Sequence, residues 1–487
     1  MIPLVGLTDV QSYDRALTKS DRVSQVIDDV GFRVASFIRS TLGPIYAKRI
    51  LAIVGKGNNG ADATAAARYL RQFGGVVDEV LFNWDDAPYS GEGYDLIIDG
   101  AFGTGISRPL QCKIIEALGA KVVSIDLPSG VDIQRLDQDE RSVKADITLV
   151  IGSIKEGQLS RGVIERMGET YLWRFDDLGS PNAKSLLFEP FDLHFRDEAL
   201  DEHKWNRAVH VVAGSKTTIG AGVLAGVASI RAGAGLVRVS GDFDRPDLIQ
   251  ASHPDLIVGD EESFERDLSN IDRYRVVVVG PGLGDRSEHL LELILKNYGG
   301  PLVIDADGIN GVGRSKVLQS LLKGYGHPVL LTPHSGEASR LFGAMGLDLS
   351  ETSIGIFAAD FGVDLLLKGF PTRIFSRDNQ TIYVTSNRPN LSVAGSGDVL
   401  SGVVGAFIAR NGYSIETVAS ATYIHGLSGG RGLTNPLSMI DSLPHLIDSI
   451  PNMRSKRLKL PGYFRPIVSN GPFVGEEDSI LSWRHKW

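Results

Sequence analysis

Short apolar runs that end in glycine or a polar residue recur along the chain, each followed by a helical pattern. Arg49–Val54 leads into the sequence GKGNNGADA, and Val276–Val279 leads into GPGLG. Runs of this length and apolarity predict strands that are buried on both faces, as in parallel sheets covered by helices. The pattern therefore restricts the chain to α/β folds, in which ligands bind at the carboxyl ends of the strands.

Two dissimilar halves of this kind are separated by residues 176–207, which lack periodicity and contain turn-forming and charged residues. The 487 residues, 43% of them apolar, suffice for several hydrophobic cores. We expect a first domain over residues 1–190, a linker over 191–206 and a second domain over 207–450. Residues 451–487 carry a short basic run and predict a docking extension or a partly disordered tail.

Composition excludes several classes of function. The net charge of 50 minus 59, or −9, is spread without long blocks and does not favour binding to nucleic acid. A single cysteine, Cys112, excludes an intramolecular disulfide. No apolar run approaches the roughly 20 residues needed to cross a bilayer, and the N-terminus lacks the pattern of a signal peptide. These features predict a cytoplasmic protein without a membrane segment.

The sequence AGSGDVLSG, residues 394–402, precedes an apolar stripe at helical spacing that stops at Asn411 and Gly412. Glycines let the backbone approach a ligand closely, and the unpaired amides at a helix start favour a phosphate. The carboxylate of Asp398 repels such an anion unless it takes a proton from a hydroxyl that attacks the phosphate. Asp398 is therefore the predicted base of a phosphoryl transfer, and the alternative is that it only caps the helix.

Other polar residues follow the strands of the second half. Lys368 and Thr372 come after the strand at 365–367 and can reach a diphosphate from the edge of the sheet. The alternative for Lys368 is a solvated strand end, and the alternative for His334 is a structural histidine beside a turn. His425 is expected in the core. Residues 373–376 and 381–385 predict a β-hairpin.

Three predicted strands of the first half also end in polar residues, and parallel strands bring these ends to one edge of the sheet. The residues concerned are Asn59, Asp99, Asp126 and Ser129. Their hard oxygen atoms suit an alkali or alkaline-earth cation better than zinc. The alternative is ordinary turn chemistry at each strand end.

The remaining elements of the first half are less distinctive. Residues 8–40 predict helices, with Asp28, Asp29 and Gly31 ahead of an amphipathic segment at 33–38. Residues 145–151 form the last clear strand, with Lys155 just beyond it. The glycine spacing after Arg49–Val54 is not G-x-G-x-x-G with a distant acidic residue, which disfavours a nicotinamide-dependent dehydrogenase.

The motifs GKGNNGADA, DGAFGTGISRP and SIDLPSGVD, in this order, resemble the epimerase module of the bifunctional NAD(P)H-hydrate repair proteins over residues 8 to about 175. The resemblance implies a potassium ion held by Asn59, Asp99 and Ser129, and proton transfer at the hydrated ring by Asp126. It also implies substrate contacts from Asn58, Asn59, Gly60, Ala61, Asp62, Gly103, Thr104, Gly105, Ile106, Ser107, Arg108 and Pro109.

This chain departs from the family at one motif, because Ala61-Asp62-Ala63 stands where the family usually has GGDG. If either glycine is needed for a positive φ or a close backbone approach, a methyl group costs binding or strains the loop.

Residues 207 to 448 are similar to the ADP-dependent NAD(P)H-hydrate dehydratases, which have a ribokinase-like fold. The resemblance is carried by GPGLG, DADGIN, LTPHSGEASRLFG, KGFPT, NLSVAGSGDVLSG and YIHGLSG. It implies ADP binding by Lys368, Gly369, Phe370, Pro371 and Thr372 and by residues 390–397, with Gly395, Ser396 and Gly397. It further implies substrate contacts from Ala221, Gly284 and His334, with Asp398 as the base. DADGIN differs from the usual DADALN at Gly308, which we expect to be tolerated.

The two resemblances together predict a Rossmann-like three-layer α/β domain followed by a ribokinase-like α/β domain. They imply an enzyme that epimerises hydrated NAD(P)H and dehydrates its S form with ADP, giving AMP and phosphate. K⁺ is implied in the first domain and Mg²⁺ in the second, and we expect a homo-oligomer, a tetramer or larger. The alternatives are a kinase of a vitamin-precursor alcohol and a non-catalytic nucleotide-binding or scaffold module in the first half. The choices between ADP and ATP and between hydrated NADH and NADPH stay open.

Overall fold

The structure, a computed structural model, divides the chain into two compact units. The N-terminal unit comprises residues 3–183 and 458–487, and the C-terminal unit comprises residues 1–2 and 184–457. No helix in the described part of the chain has the length and apolarity needed to span a bilayer. The residues that the structure describes are 1–18, 22–104, 109–134, 139–174, 183–197, 202–266, 268–386, 389–430, 432–455 and 465–468.

A mainly parallel sheet forms the centre of the N-terminal unit. In chain order, the elements from β1 to β9 are β1 (Ile2–Pro3), α1 (Leu7–Thr18), α2 (Val23–Thr41), β2 (Arg49–Val54), α3 (Asn58–Gln72), β3 (Val76–Leu81), β4 (Tyr89–Ser90), β5 (Leu96–Gly100), β6 (Ile115–Glu116), β7 (Lys121–Ile125), β8 (Ile147–Gly152), α4 (Arg161–Met167) and β9 (Glu169–Arg174). The strand order of the sheet is β9-β8-β7-β5-β2-β3, and the strand Arg465–Val468 pairs antiparallel with β9 at one edge.

The strand predicted at 145–151 is confirmed as β8, but it is not the last strand of the sheet, because β9 follows α4 and pairs in parallel with β8. The helices predicted over residues 8–40 are confirmed as α1 and α2, and Asp28, Asp29 and Gly31 lie inside α2. A Cβ on Gly31 would lie 2.3 Å from the Cβ of Ala65, so this glycine allows α2 to pack closely on α3. The packing outweighs the cost of about 1 kcal/mol that a glycine imposes inside a helix.

The strands of this sheet are apolar because both of their faces are buried. Ile50 and Ala52 on β2 pack into the cluster formed with α2 and α3, whereas Leu51 and Ile53 pack into the cluster on the opposite face. Successive side chains of a strand point to opposite faces, so burial on both sides requires a continuous apolar run.

The C-terminal unit is built on one larger sheet. Its strand order is β1-β10-β19-β18-β17-β16-β15-β14-β11-β12-β13, and β18 runs antiparallel to both of its neighbours. The elements are β10 (Ser185–Leu187), β11 (Ala208–Val212), α5 (Ile219–Arg231), β12 (Leu236–Gly241), α6 (Pro246–Ser252), β13 (Ile257–Asp260), α7 (Glu261–Arg266), β14 (Val276–Val279), α8 (Ser287–Asn297), β15 (Leu302–Ile304), α9 (Ala306–Arg314), α10 (Lys316–Lys323), β16 (Val329–Leu331), α11 (Ser335–Ala344), α12 (Glu351–Phe361), β17 (Asp364–Leu367), β18 (Thr372–Phe375), β19 (Thr381–Val384), α13 (Ser396–Asn411), α14 (Ile415–Ser428), α15 (Pro436–Asp448) and α16 (Ile450–Ser455); β20 is the strand Arg465–Val468 already described.

The predicted hairpin is confirmed as β18 and β19, with Asn379 in the turn at a φ of 64°. Strand β10 pairs in parallel with β19, although the sequence placed residues 185–187 in the first domain. The first segment of the N-terminal unit therefore ends at Ala183, whereas the sequence predicted a first domain over residues 1–190. A three-residue strand between turn-forming segments has too short a pattern to separate it from a linker.

Helix α13, which follows the AGSGD sequence, lies in the middle of the C-terminal unit. Its predicted extent to Asn411 is confirmed, but the predicted apolar stripe is a helix buried on nearly all sides, from Val399 to Arg410. It packs against α5, α14 and the sheet. A helix enclosed in this way gives its first turn a rigid position at the carboxyl edge of the sheet.

Candidate functional site

A cavity of about 820 Å³ lies in the N-terminal unit, at the carboxyl ends of β2, β5 and β7. This volume is in the range of small-molecule and cofactor sites. The residues that line it include Gln11, Arg15, Val26, Lys56, Asn58, Asn59, Gly60, Asp62, Phe82, Trp84, Phe102, Gly103, Thr104, Asp126, Ser153 and Lys155.

The glycine loop after β2 is shorter than the sequence indicated, because α3 begins at Asn58, with Gly57 as its N-cap. The predicted contact residues from Asn58 to Asp62 thus form the first turn of a helix. A Cβ on Gly60 would lie 1.9 Å from the carbonyl oxygen of Gly55, so only glycine permits this close approach of helix and loop.

The two alanines that depart from the family motif fit the helix. Neither Ala61 nor Ala63 has a positive φ, so the strain considered from the sequence does not arise. Ala63 is fully buried against Gly100, where a Cβ would lie only 2.4 Å from the Ala63 methyl carbon. Gly100 therefore provides the space that Ala63 occupies.

Two of the four polar strand ends, Asn59 and Ser129, meet at the backbone of Phe102, and a third, Asp99, is bonded to Ser129. The amide nitrogen of the Asn59 side chain donates to the Phe102 carbonyl oxygen at 2.7 Å, and the Ser129 hydroxyl donates to the same oxygen at 3.2 Å. Asp99 Oδ2 accepts from the Ser129 amide at 2.8 Å and from the Ser124 hydroxyl at 2.8 Å. Asn59, Asp99 and Ser129 are therefore neighbours, as parallel strand ends predict.

Two features of this group indicate room for a cation. Asn59 Oδ1 is buried and has no hydrogen-bond partner among the described residues. Asp99 is fully buried, and burial raises its pKa, although hydrogen bonds from Ser129 and Ser124 act in the opposite direction. A buried carboxylate next to an unpaired carbonyl oxygen is a donor set that a hard cation stabilises.

Asp126, the fourth strand end, forms an ion pair inside the cavity. Its Oδ1 accepts a hydrogen bond from the ammonium of Lys155 and another from the amide of Ile151 at 3.2 Å. The Asp126 backbone has a φ of 63°, which is uncommon for a residue other than glycine. Its carbonyl oxygen accepts from Gln158 Nε2 at 2.8 Å.

Aromatic rings form one wall of the same cavity. The ring centroids of Phe82 and Phe102 are 4.7 Å apart, and Trp84 stacks on Phe102 at 5.8 Å. The sequence analysis assigned no role to these three residues or to Lys155. What these residues share in the sequence is their position, because each lies just after a strand.

The remaining predicted contacts of this unit have mixed outcomes. Gly103 and Thr104 line the cavity, whereas Ala61 and Pro109, both described, are not among the residues that line it. Gly105, Ile106, Ser107 and Arg108 lie outside the described residues.

In the C-terminal unit, the first turn of α13 holds Asp398. The N-cap is Gly395, with a φ of 90°, so Asp398 does not occupy the capping position that the alternative proposed for it. A Cβ on Gly395 would lie 2.7 Å from Leu224 Cδ1 on α5. Only glycine adopts this φ readily and leaves room for Leu224, which explains why glycine stands at this position of the AGSGD sequence.

A buried ion pair lies beside this turn. Lys368 Nζ donates to Asp305 Oδ1 at 2.6 Å, and the Ser401 hydroxyl donates to Asp305 Oδ2 at 2.6 Å. A Cβ built on Gly397 would lie 3.3 Å from Lys368 Nζ, so the lysine reaches the start of α13. Asp305 comes from the DADGIN motif at the end of β15 and is 1% exposed.

The surroundings of Asp398 raise its pKa to about 6. Burial is the largest cause, and the carboxylates of Asp305 and Glu337 add to it, whereas Lys368 acts in the opposite direction. Near neutral pH such a group exchanges protons readily, as a general base requires.

His334 has a structural contact in addition to its predicted position near the site. Its Nδ1 caps α11 by accepting from the Gly336 amide at 2.9 Å, and its backbone amide donates to Glu337 Oε2 at 2.9 Å. The ring is half exposed, and the Lys368 backbone pairs with His334. His334 is thus brought next to Lys368 while it also orders the turn, as the structural alternative predicted.

Other predicted residues surround this centre. Thr372 donates to the Gly369 carbonyl oxygen at 3.1 Å, in the turn that contains the cis Phe370-Pro371 bond. Ala221 lies near Gly282, where a Cβ would be 2.9 Å from the Ala221 methyl carbon. The Gly284 amide donates to Asp307 Oδ2 at 2.8 Å.

Asn390 and His425 organise the backbone around the glycine turn. Asn390 Nδ2 donates to the carbonyl oxygens of Gly429 and Gly432, the latter at 2.8 Å. His425 is in the core, as predicted, and burial lowers its pKa to about 4. Its neutral ring donates from Nε2 to the Ser396 carbonyl oxygen at 3.0 Å, which fixes the first turn of α13.

Sequence reasoning assigned no role to Asp305, Ser401 or Glu337 in this unit. The available signal was Asp305, because an acid at the carboxyl end of a central strand of an α/β sheet lies where ligands bind. Ser401 and Glu337 carry no such signal, since only the packing of α13 and α11 brings them to Asp305 and Asp398.

Comparison with known proteins gives the geometry its context. Residues 209–452, half of the 487-residue chain, match the family model described as NAD(P)H-hydrate dehydratase, and residues 24–93 and 82–157 match the YjeF-related protein N-terminus. The bifunctional NAD(P)H-hydrate repair enzyme of Mycobacterium tuberculosis (strain CDC 1551 / Oshkosh) is 30% identical over 407 residues, which cover 77% of this chain and 82% of that protein. The chain belongs to the family of bifunctional NAD(P)H-hydrate repair enzymes.

Further relatives extend over nearly the whole chain. The bifunctional NAD(P)H-hydrate repair enzyme of Thermofilum pendens is 28% identical over 480 residues, which cover 87% of this chain and 90% of that protein. The ADP/ATP-dependent NAD(P)H-hydrate dehydratase of Bacillus subtilis, co-crystallised with ATP and Mg²⁺, is a solved structure with a TM-score of 0.45 and 22% identity, covering 54% of this chain and 96% of that chain. The family resemblance predicted from the motifs is confirmed for both halves.

Proposed function

We propose that this member of the repair-enzyme family restores hydrated NADH and NADPH in two steps. The N-terminal unit interconverts the R and S epimers at C6 of the hydrated ring, and the C-terminal unit dehydrates the S epimer with ADP, giving AMP and phosphate. The observation that carries the proposal is Asp398, which has a pKa raised to about 6 at the start of a buried helix beside Lys368.

The chemistry of the second step follows from the poor leaving ability of hydroxide. Asp398 takes the proton of the C6 hydroxyl, and the resulting oxygen attacks the β-phosphoryl group of ADP while AMP leaves. Phosphate then departs with the C6–O bond electrons, the ring nitrogen supplies its electron pair, and loss of a C5 proton restores the dihydronicotinamide. Phosphorylation thus converts hydroxide into a good leaving group.

The residues around Asp398 support a nucleotide at this position. Backbone amides at the start of α13 favour a phosphate, and Lys368 offers a charge beside Gly397. Gly369 to Thr372 form the adjacent turn. Glu337, whose carboxylate lies close enough to raise the pKa of Asp398, is an oxygen donor of the kind that Mg²⁺ prefers, and a Mg²⁺ ion bound with the nucleotide would neutralise phosphate charge.

The cavity of the N-terminal unit suits a charged dinucleotide with aromatic rings. Arg15 and Lys56 line it and offer positive charge for a diphosphate, whereas Trp84 and Phe102 offer ring faces for stacking. Asp126, in the same cavity, is the proposed group for proton transfer at C6.

A potassium ion fits the group formed by Asn59, Asp99 and Ser129. The unpaired Asn59 Oδ1 and the buried Asp99 carboxylate are the donors that such an ion would satisfy. A cation held there would supply positive charge next to the cavity and would order the backbone at Phe102.

One assay tests both steps. The purified protein is incubated with mixed epimers of hydrated NADH and with ADP or ATP, with and without potassium, and the return of the reduced cofactor is followed by absorbance. We expect complete conversion, with AMP and phosphate as the other products of the ADP reaction. Accumulation of a stable phosphorylated organic product would instead support a small-molecule kinase.

A single variant separates the two units in this assay. Asp126→Ala should leave a racemic hydrate only half consumed, apart from slow spontaneous epimerisation, because the C-terminal unit uses one epimer. If the unchanged protein also stops at half, the N-terminal unit lacks epimerase activity and acts as a binding module.

The expectations of a cytoplasmic location and of a homo-oligomer, a tetramer or larger, also stay proposals. They are supported by composition and by the family resemblance. Multi-angle light scattering of the purified chain measures the oligomeric state, and a monomer would contradict the second expectation.

A further inference from the structure

Lys155 is a buried cation in the cavity of the N-terminal unit. Its side chain is 3% exposed, and its ammonium binds Asp126 Oδ1. A buried ammonium is costly unless it is paired and hydrogen-bonded. The pairing therefore holds both side chains in one arrangement.

The hydrogen bonds to the Asp126 carboxylate are unequal. Oδ1 accepts from Lys155 and from the Ile151 amide at 3.2 Å. Among the described residues, none donates to Oδ2. One oxygen is thus held by the protein, and the other is left for a ligand.

Gln158 ties the backbones of the two charged residues together. This side chain is 1% exposed, its Nε2 donates to the Asp126 carbonyl oxygen at 2.8 Å, and its Oε1 accepts from the Lys155 amide at 2.9 Å. The Asp126 backbone has a φ of 63°, which is unfavourable for aspartate unless neighbouring contacts enforce it. The Gln158 bridge is such a contact.

We propose that Lys155 is a positioning residue of the epimerase site, which acts through Asp126. Together with the Ile151 amide it holds Oδ1, so that Oδ2 exchanges the proton with the C6 hydroxyl, and Gln158 fixes the backbones of Asp126 and Lys155. The inference rests on the proposed epimerase function of this unit.

The arrangement matches the proton balance of epimerisation. The ion-paired Asp126 carboxylate first takes a proton from solvent at Oδ2. Oδ2 then gives this proton to the C6 hydroxyl, the C6–O bond breaks, and water leaves as the ring nitrogen donates its electron pair to C6. Water then adds to either face of C6 and returns a proton to Oδ2, which restores the protonated carboxyl group. Lys155 stabilises the carboxylate that exists between the two proton transfers.

The test measures kcat and KM for epimerisation in the full chain, for Lys155→Met and Lys155→Arg. We expect Lys155→Met to lower kcat about 100-fold with KM changed less than about 3-fold, because a misplaced catalytic group affects the transition state more than binding. Lys155→Arg should recover at least about 10-fold of this loss, because it keeps the charge.

Two controls separate positioning from folding. Lys121→Met removes another lysine–aspartate pair of the same unit, 3.3 Å from Lys121 Nζ to Asp146 Oδ1 and away from the cavity lining, and should leave kcat within about 2-fold. Dehydration of the pure S epimer by each variant, together with its thermal melting, reports whether the protein remains folded.

A double-mutant cycle with Asp126→Asn decides whether Lys155 acts through Asp126. We expect Lys155→Met to lower kcat by less than about 3-fold in that background, because the effects of residues that act as a unit are not additive. An unchanged kcat in Lys155→Met, a change in KM alone, or a full additive loss in the double variant would overturn the proposal.

If Lys155→Met does not fold, Gln158→Leu takes its place, with an expected loss in kcat of about 10-fold, and no loss would overturn the proposal. If the wild-type protein itself has no epimerase activity, the proposed function of the N-terminal unit is refuted instead.

Discussion

The two candidate sites of this chain contain the same kinds of charged residue but pair them differently. Each places a carboxylate and a largely buried lysine at the carboxyl edge of a parallel sheet. In the N-terminal unit, Lys155 binds the candidate catalytic carboxylate, Asp126, directly. In the C-terminal unit, Lys368 binds Asp305 instead, and the pKa of Asp398 is raised to about 6. The candidate catalytic group therefore lies in an ion pair in one unit, whereas in the other unit burial and the neighbouring Asp305 carboxylate raise its pKa.

The difference fits the two reactions proposed. Epimerisation needs a group that gives and takes a proton in one cycle, and an adjacent cation stabilises its carboxylate form. Phosphoryl transfer needs a base beside an anionic nucleotide, and a lysine tied to a second carboxylate stays near the phosphate without neutralising the base.

The largest expected effect is that of Asp398→Asn on dehydration. Loss of the general base should lower kcat by at least about 10³-fold while ADP binding stays within about 3-fold, because the amide keeps the shape and loses only the proton acceptor. Single-turnover assays with the S epimer and equilibrium binding of ADP measure the two quantities.

The matched variant in the other site is Asp126→Asn, which should leave dehydration of the pure S epimer unchanged. Wild-type turnover in Asp398→Asn would refute the assigned base and remove the contrast between the sites.

The second prediction concerns the ion pair of the C-terminal unit. Lys368→Met leaves the buried Asp305 without its cation and should destabilise this unit by about 3–5 kcal/mol. Urea denaturation of the full chain, with the transitions of the two units resolved separately, measures the change.

Lys216→Met is the control for this prediction, because it removes an exposed pair with Asp244 in the same unit and should leave the transition in place. Equal effects of the two variants would show that burial does not distinguish the pairs.

The third prediction is the pH dependence that the raised pKa of Asp398 imposes. The base acts in its ionised form, so kcat/KM for dehydration should fall about tenfold per pH unit below about pH 6 and level off above it. If kcat/KM instead falls with a midpoint below about pH 4.5, near the ordinary pKa of aspartate, the environment described for Asp398 is contradicted.

The same shift predicts a change in stability. Because the folded pKa lies above the unfolded one, the protonated form stabilises the fold at low pH, and this contribution is lost as pH rises through about 6. Asp398→Asn should therefore raise the free energy of unfolding by about 1–2 kcal/mol at pH 8 and by less at pH 4. This figure is smaller than the full energy equivalent of the pKa shift because the side chain is partly exposed to solvent. Equal gains at both pH values would contradict this origin.

The smallest expected effect concerns the two alanines of the N-terminal unit. Ala61→Gly and Ala63→Gly restore the family motif but place glycine inside α3, which should cost about 1 kcal/mol each and leave the epimerisation rate unchanged within about 2-fold. Thermal melting and the epimerase assay measure both effects. A higher rate in either variant would mean that the methyl groups hinder the substrate.

Prediction from the sequence succeeded where the signal was local. The β14 and β15 strands, the β18–β19 hairpin and helix α13 follow from apolar runs, turn residues and helical spacing that each lie within a few residues. The start of α3 was missed, because Gly57 and Gly60 predict a loop by composition, whereas Gly60 serves close packing against Gly55. Strand β9 was missed because its apolar run is only three residues long, Tyr171 to Trp173, between polar residues.

The site was predictable in part for a related reason. Asp398, Lys368, Asp99 and Asp126 stand at strand ends or at a helix start, where an α/β fold binds its ligands. Gln158 and Ser401 have no such position in the sequence. They reach the sites only through the packing of neighbouring loops and helices.

The sequence by itself determined the α/β class, the family and the strand ends at which catalysis is proposed, because these depend on local patterns and motifs. Only the tertiary structure decided which charges pair: Lys155 with Asp126, and Lys368 with Asp305. The members of these pairs lie 29 and 63 residues apart in the chain. Their pairing, and with it the raised pKa of Asp398, depends on burial and on distances that form only when separate strands come together in one sheet.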